Sequence, residues 1–125
     1  MIALDASALL AFLFRERGHE RVAAAIGDCC LSAVNLSEVV GRFVRDGHEA
    51  GRVLERLTAA PIEMVSFGVR DAALAASLVP ATQPLGLSLG DRACLALAAA
   101  RGIPALTADR TWLRLSLAIE IESIR

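Results

Sequence analysis

The stretch LSLGDRACLALA, residues 87–98, predicts a helix that lies in the interior of the protein. After Gly90 nearly every position is Ala, Leu or Cys, and a helix that is apolar on almost all sides is normally buried. The exceptions are Asp91 and Arg92, which stand together at its start. A carboxylate at the mouth of a buried helix calls for a physical explanation.

On both sides of this helix, short apolar runs alternate with longer helical ones. The runs that predict strands are IAL (2–4), CCLSAV (29–34), IEMVSF (62–67), PALTA (104–108) and AIEIES (118–123). Residues 80–87, which contain two Pro and one Gly, predict a loop. Apolar strands separated by helices are typical of a parallel sheet covered on both faces. We therefore expect residues 1–125 to form a single three-layer α/β/α domain with a parallel central sheet.

The composition fits one globular domain and excludes several classes of protein. The chain has 125 residues, is 55% hydrophobic and carries a net charge of -1, which argues against a generally basic nucleic-acid binder. All 13 basic residues are Arg, which suits bidentate contacts to phosphate. Three Cys without metal-ligand spacing predict reduced thiols and a cytoplasmic protein. Prolines interrupt the uncharged stretch 72–90, so no membrane span is expected.

Four acidic residues stand at strand ends or helix starts. Asp5 and Asp109 directly follow predicted strands, Glu38 falls in the first turn after the second strand, and Asp91 opens the buried helix. Singly, each has a structural explanation as a helix cap, and Ser88-x-x-Asp91 matches a capping box. Asn35-x-x-Glu38 is a near relative of that pattern, and Asp5 and Asp109 suit N-caps.

Together, these acids indicate a ligand site, because ligands of open parallel sheets bind at the carboxyl ends of the strands. Carboxylates gathered in one pocket repel one another, and a hard divalent cation relieves that repulsion. The absence of a His or Cys ligand set disfavours zinc and favours Mg²⁺. The explanation for Asp91 at the helix mouth is then a metal ion beside it.

The segments IALDASALL, SAVNLSEV, LSLGDRACLALA and LTADRTW, in this order, resemble the PIN-domain ribonucleases. The similarity is greatest to the VapC-type toxins of type II toxin–antitoxin pairs and runs over the whole chain. The resemblance implies that Asp5, Glu38, Asp91 and Asp109 form an acidic catalytic site that holds Mg²⁺ or Mn²⁺. It also implies that Ser7, Asn35 and Thr107 orient these carboxylates. Arg92 and Arg110, each directly after a site Asp, are expected to contact RNA phosphate or to steady the carboxylates.

The resemblance further implies an endoribonuclease that leaves a 5′-phosphate and a 3′-hydroxyl, with transfer RNA as a common target. A cognate antitoxin that covers the site, and a homodimer, are the implied partners; EVVGRFV (38–44) and ALLAFLF (8–14) are candidate surfaces for them. Other arginines are expected to bind the RNA backbone, namely Arg15, Arg17, Arg42, Arg45 and Arg114. Trp112 is expected to be a core or interface anchor rather than a stacking platform.

Two other functions share part of this pattern. A receiver-like signalling domain has a similar sheet and an acidic Mg²⁺ pocket, but it needs a Lys, and this chain has none. It also usually has adjacent acids after the first strand, where only Asp5 stands. A non-catalytic RNA-binding PIN relative stays open as an alternative, although the presence of all four acids favours an active enzyme.

Overall fold

A five-stranded parallel sheet forms the centre of the computed structural model, which describes residues 1–125. The strand order is β3-β2-β1-β4-β5, and every neighbouring pair is parallel. The strands are β1 (Ile2–Leu4), β2 (Cys29–Ser32), β3 (Glu63–Val65), β4 (Ala105–Thr107) and β5 (Ile121–Ser123). The predicted parallel sheet is confirmed.

Seven α-helices and two 3₁₀ turns connect the strands. The α-helices are α1 (Ala6–Leu13), α2 (His19–Ala25), α3 (Ala33–Arg45), α4 (Ala50–Ala59), α5 (Val69–Ser77), α6 (Val79–Thr82) and α7 (Leu89–Arg101). The 3₁₀ turns are Gln83–Leu85 and Arg110–Arg114. None of the helices combines the length and the apolar composition that crossing a membrane would need.

Alternate residues of each strand face two separate hydrophobic cores. In β1, Ile2 and Leu4 pack with α1, α2, α3 and α4 on one face, whereas Ala3 packs with α7 on the other. The second core contains most of the apolar side of α7 together with Trp112, which is fully buried. Helices on both faces of a parallel sheet give the predicted three-layer α/β/α arrangement.

Several boundaries differ from the sequence expectation: β3 and β5 are shorter than the predicted runs 62–67 and 118–123, and two further differences have a clear physical reason. The strand predicted over residues 29–34 ends at Ser32, because Ser32 caps α3: its hydroxyl accepts a hydrogen bond from the Val34 N–H. The loop predicted over residues 80–87 is largely helical. Pro80 lies in the first turn of α6, where the N–H that Pro lacks would be unpaired anyway, so it favours a helix start there.

Helix α7 begins at the capping box that the sequence predicts, and a glycine ends it. Ser88 is its N-cap in a capping box with Asp91, and Gly102 ends it in the left-handed conformation (φ 63°). The six residues from Ala93 to Ala98 are all buried, as expected for a helix inserted between the sheet and the outer helices. The start of α7 is thereby fixed beside β1, the central strand of the sheet.

Candidate active site

Asp5 is the most completely enclosed acid of the site. It follows β1 directly, caps α1, and is only 3% exposed. Its carboxylate accepts hydrogen bonds from the Ala8 N–H (2.8 Å), the Ser7 hydroxyl (2.8 Å to either oxygen) and the Thr107 hydroxyl (2.7 Å). Burial raises the pKa of Asp5 from 3.8 to about 6, against the lowering effect of these hydrogen bonds; the nearby charge of Asp91 adds a smaller upward contribution.

Ser7 and Thr107 connect Asp5 to the end of β4. The Ser7 oxygen accepts the Ala108 N–H at 2.9 Å, and the Thr107 oxygen accepts the Asp109 N–H at 3.0 Å. With their oxygens occupied in this way, both hydroxyls can direct their protons toward Asp5. Since Ser7 has one hydroxyl proton, three donors serve about four lone-pair positions on the carboxylate. One lone-pair position of the Asp5 carboxylate therefore has no donor.

Asp91 lies at the start of α7 and is partly exposed. One carboxylate oxygen accepts the Ser88 N–H at 2.8 Å, and the Asp91 N–H donates in return to the Ser88 hydroxyl at 3.2 Å. The predicted capping box of Ser88 and Asp91 is therefore confirmed. It does not exclude a second role, because the other carboxylate oxygen has no hydrogen-bond partner and the charge lies near enough to raise the pKa of Asp5.

Asn35 and Glu38 join α3 to the start of α7. Glu38 lies in the second turn of α3, not in the first turn after β2 as the sequence suggested, because the helix already begins at Ala33. For the same reason Asn35 is not a cap. It is buried inside the helix, and its amide nitrogen donates to the Glu38 carboxylate (2.8 Å) and to the Gly90 carbonyl (2.9 Å). The Asn35 side chain thus holds Glu38 against α7.

Gly90 is a site residue that the sequence reasoning missed. It makes a close approach to α3, and a Cβ at this position would overlap the Glu38 carboxylate. The signal in the sequence is only a Gly directly before Asp91. A Gly in the first turn of a helix has several possible reasons, and the approach of α3 became visible only with the fold.

Asp109 and the two arginines take different positions. The Asp109 carboxylate turns toward its own 3₁₀ turn and accepts from the Thr111 N–H (2.9 Å) and hydroxyl (2.8 Å). Arg92 turns inward: its guanidinium donates to the Leu87 carbonyl at 3.1 Å, and its Nε is buried without a partner. Arg110 is exposed and has no ion pair or hydrogen bond through its side chain.

Asp5, Asp91 and Glu38 lie around the start of α7, whereas Asp109 turns toward its own 3₁₀ turn. The pKa of the fully buried Cys94 thiol is raised well above its usual value, chiefly by burial and further by the charges of these three acids. No group of three or more acidic, His or Cys side chains is arranged closely enough to hold a metal ion without movement. The donor set is nevertheless all oxygen: one Asp91 oxygen has no hydrogen-bond partner, and the Asp5 carboxylate has one more lone pair than it has donors. That fits Mg²⁺, which commonly uses one or two protein carboxylates and completes its shell with water.

Comparison with known proteins identifies the family. A model of the PIN domain matches residues 2–117. Similar solved structures include a toxin–antitoxin complex from Klebsiella pneumoniae, with 16% identity, a TM-score of 0.75 and coverage of 100% of this chain and 98% of that chain. FitAcB from Neisseria gonorrhoeae has 19% identity and a TM-score of 0.73, over 99% and 98% of the two chains.

A third similar structure is VapC20 from Mycobacterium tuberculosis, described as a sarcin-ricin loop cleaving toxin, with 16% identity and a TM-score of 0.74 over 91% and 94% of the two chains. At these identities the solved structures show a shared fold. A search of curated protein sequences finds no match. The family match covers nearly the whole chain and agrees with the fold, and this protein belongs to the PIN-domain family.

Proposed function

We propose that this protein is a metal-dependent endoribonuclease toxin of the VapC type. The observation that carries the proposal is Asp5, a carboxylate buried at the carboxyl edge of the sheet and held by hydroxyls from two chain segments beside the charge of Asp91. A buried carboxylate near another negative charge lowers the stability of the fold, and such arrangements are typical of functional sites. Membership of the PIN-domain family and the toxin–antitoxin structures of the same fold support it.

Each acid has a role that its position suggests. Asp5 and Asp91 would hold Mg²⁺ or Mn²⁺, whose contribution when bound is to acidify water and to offset the negative charge of the phosphodiester. Glu38 presents one oxygen to Asn35 and leaves the other free to accept a proton from the attacking water. Asp109, at the side of the site, would orient water or substrate.

We also propose that a cognate antitoxin binds the chain in an apolar groove on the α3–α4 side. The groove has a volume of about 640 Å³, and Leu13, Phe43, Val53 and Leu57 form its apolar floor. Leu13 and Phe43 belong to the two segments that the sequence singled out as candidate surfaces. Arg52, Arg56 and Glu49 form a charged rim that would give such a partner its orientation. A homodimer is the further assembly that we propose from the family resemblance.

The first experiment is cleavage of total RNA by the antitoxin-free chain with Mg²⁺, with Mn²⁺ and with chelator. Asp91→Asn should abolish metal-dependent cleavage. Asp71→Asn is the matched control, because Asp71 occupies the equivalent capping-box position of α5, accepting the Gly68 N–H at 2.8 Å, outside the site. Equal cleavage by Asp91→Asn and Asp71→Asn would show that the acidic site is wrongly assigned.

One observation favours a non-catalytic RNA-binding relative as the second candidate: no three acidic side chains converge in the way a preformed metal site would show. The two candidates are separated by measuring Mn²⁺ binding and RNA binding with the same preparation. RNA binding without Mn²⁺ binding or cleavage would establish the non-catalytic role. Mn²⁺ binding that Asp91→Asn removes and Asp71→Asn keeps, together with metal-dependent cleavage, would establish the nuclease.

A further inference from the structure

A polar depression of about 400 Å³ lies directly beside the acidic site. Ser7 and Asp109 form its inner wall, so it begins at the hydrogen-bond network of Asp5. Three arginines, Arg42, Arg110 and Arg125, also line it.

The three arginines come from distant parts of the chain. Arg42 belongs to α3, and its guanidinium is held over the Phe14 ring at 4.9 Å from the ring centre, with Asp46 at 3.3 Å. Arg110 opens the 3₁₀ turn after β4 and has no ion pair. Arg125 follows β5. Only the tertiary structure brings these residues to one place.

The segment that carries Arg125 is fixed in place by backbone contacts. The Ile124 N–H donates to the Thr107 carbonyl at 2.9 Å, and the Arg125 N–H donates to the Ser123 hydroxyl at 3.2 Å. The Arg125 guanidinium reaches Glu16 only at 3.8 Å. Arg125 is therefore anchored to β4, the strand that carries Thr107, with its guanidinium only loosely paired.

The charges of the depression suit an anion with several oxygens. Two carboxylates, Glu16 and Asp109, line the depression together with the three guanidinium groups, and Asp46 pairs with Arg42 from outside the lining. The ion pairs of Arg42 and Arg125 are half-exposed and therefore weak. Arg110 adds an unpaired cation. Guanidinium groups bind phosphate through paired N–H donors. A phosphodiester strand at the acidic site would bring such phosphates to this place.

We propose that this depression binds a backbone phosphate of the RNA strand next to the phosphate that is cleaved, through Arg42, Arg110 and Arg125. The inference rests on the proposed ribonuclease function. It makes the depression a positioning subsite: its contacts are to the phosphate backbone, so it orients the strand without reading the base sequence.

The test is binding of a fluorescent single-stranded oligouridylate to the Asp91→Asn chain in chelator, measured over a range of salt concentrations. Arg42→Gln, Arg110→Gln and Arg125→Gln are each introduced into that chain. Complete loss of the phosphate contact should lower the slope of log K against log salt by about 0.7, which corresponds to an affinity about fivefold weaker at about 0.1 M salt, and each single variant should show part of that change. Arg70→Gln is the control, because Arg70 is an exposed, unpaired arginine of α5 away from the depression.

The outcomes separate the subsite from the proposed function. A reduced slope in the three variants and an unchanged slope in Arg70→Gln establish the subsite. RNA binding that is the same in all four variants overturns the subsite and leaves the proposed function standing. A folded Asp91→Asn chain that binds no RNA at any salt concentration overturns the subsite, whereas failure of the unsubstituted chain to cleave RNA with Mn²⁺ overturns the proposed function.

Discussion

Asp5 and Asp109 occupy equivalent places and have very different surroundings. Asp5 directly follows β1, and Asp109 lies two residues after the end of the adjacent parallel strand β4. Each caps the helical segment that comes next. Asp109 is partly exposed and is satisfied by Thr111 two residues away. Asp5 is almost fully buried, and one of its donors, Thr107, comes from another strand.

The difference shows that a local role does not determine the energy of a carboxylate. Both residues gain the usual N-cap hydrogen bond, which stabilises a helix by about 1 kcal/mol. Only Asp5 loses its hydration, which is why burial raises its pKa to about 6. Asp109 caps its helical turn, whereas Asp5 is a buried acid whose charged form a cation would stabilise.

The largest effect is expected from replacing these two acids by their amides. Since the folded-state pKa of Asp5 lies above 3.8, the folded chain binds this proton more tightly than the unfolded chain, and stability falls as the pH rises from about 4 to about 6. Asp5→Asn removes that penalty. In chelator at about pH 7 it should raise the free energy of unfolding by up to about 3 kcal/mol, with no gain below about pH 4. Asp109→Asn should change it by less than about 0.5 kcal/mol, because Asn is an equally good N-cap.

Urea unfolding of the three chains across this pH range checks the comparison, and RNA cleavage is measured alongside. Asp5→Asn should combine higher stability in chelator with complete loss of cleavage. A pH-independent destabilisation by Asp5→Asn would mean that the buried carboxylate carries no penalty and that its contrast with Asp109 is wrong.

A smaller effect is expected from the two threonines that donate to these acids. Thr107→Val removes a 2.7 Å hydrogen bond from buried Asp5 and should raise its pKa further. The free energy of unfolding should then fall by about 2 kcal/mol at about pH 7, since a buried partner is left unsatisfied. Thr111→Val removes a 2.8 Å hydrogen bond from Asp109, where water replaces it, and should cost less than about 0.5 kcal/mol.

Differential scanning calorimetry with and without Mn²⁺ measures this pair of variants. Thr107→Val should also weaken Mn²⁺ binding, whereas Thr111→Val should leave it nearly unchanged. Equal losses in the two variants would place Asp5 and Asp109 in similar surroundings and would remove the contrast.

The smallest effect on stability is expected at Gly90, although its effect on activity should be clear. A methyl group there displaces the Glu38 carboxylate, the flexible end of a side chain. Because Ala favours a helix over Gly by about 1 kcal/mol, the melting temperature of Gly90→Ala should stay level or rise slightly. Cleavage should fall, since Glu38 leaves its place beside Asn35. Gly41→Ala in α3, where a methyl group meets nothing within 4 Å, is the control. Unchanged cleavage in Gly90→Ala would show that the position of Glu38 is unimportant.

Much of the fold could be predicted from local pattern. The sequence runs predicted all five strands. The signal is continuous for β1, β2 and β4, which are buried on both faces, whereas the edge strands β3 and β5 include Glu63 and Glu122 and are only partly buried. The end of the first strand at Leu4 and the ends of α7 followed from Asp5, Ser88 and Gly102, residues whose preferences at caps are strong. The boundary of β2 was wrong by two residues because Ala33 and Val34 suit a strand and a helix equally well in isolation.

The site was less accessible to sequence reasoning. Asn35 and Glu38 fit a capping pattern, but Ser32 caps α3, and Asn35 uses its amide to reach α7. Arg92 directly follows a site acid, and the sequence predicted a contact to RNA phosphate or to the carboxylates. Its guanidinium instead turns inward and donates to the Leu87 carbonyl. In both cases the direction of a side chain depends on which element packs against it, and that partner lies 55 residues away for Asn35.

By itself, the sequence determined the parallel α/β domain, the PIN-type order of acids along the chain, and the strand or helix that carries each of them. These features depend on hydrophobic period, capping chemistry and residue order, which are local properties. The tertiary structure alone decided that Asp5 is buried while Asp109 is not, that Gly90 meets Glu38, and that Arg110 and Arg125 share a depression with Arg42. Burial and electrostatic interaction depend on distances across the fold, and only the packed chain sets those distances.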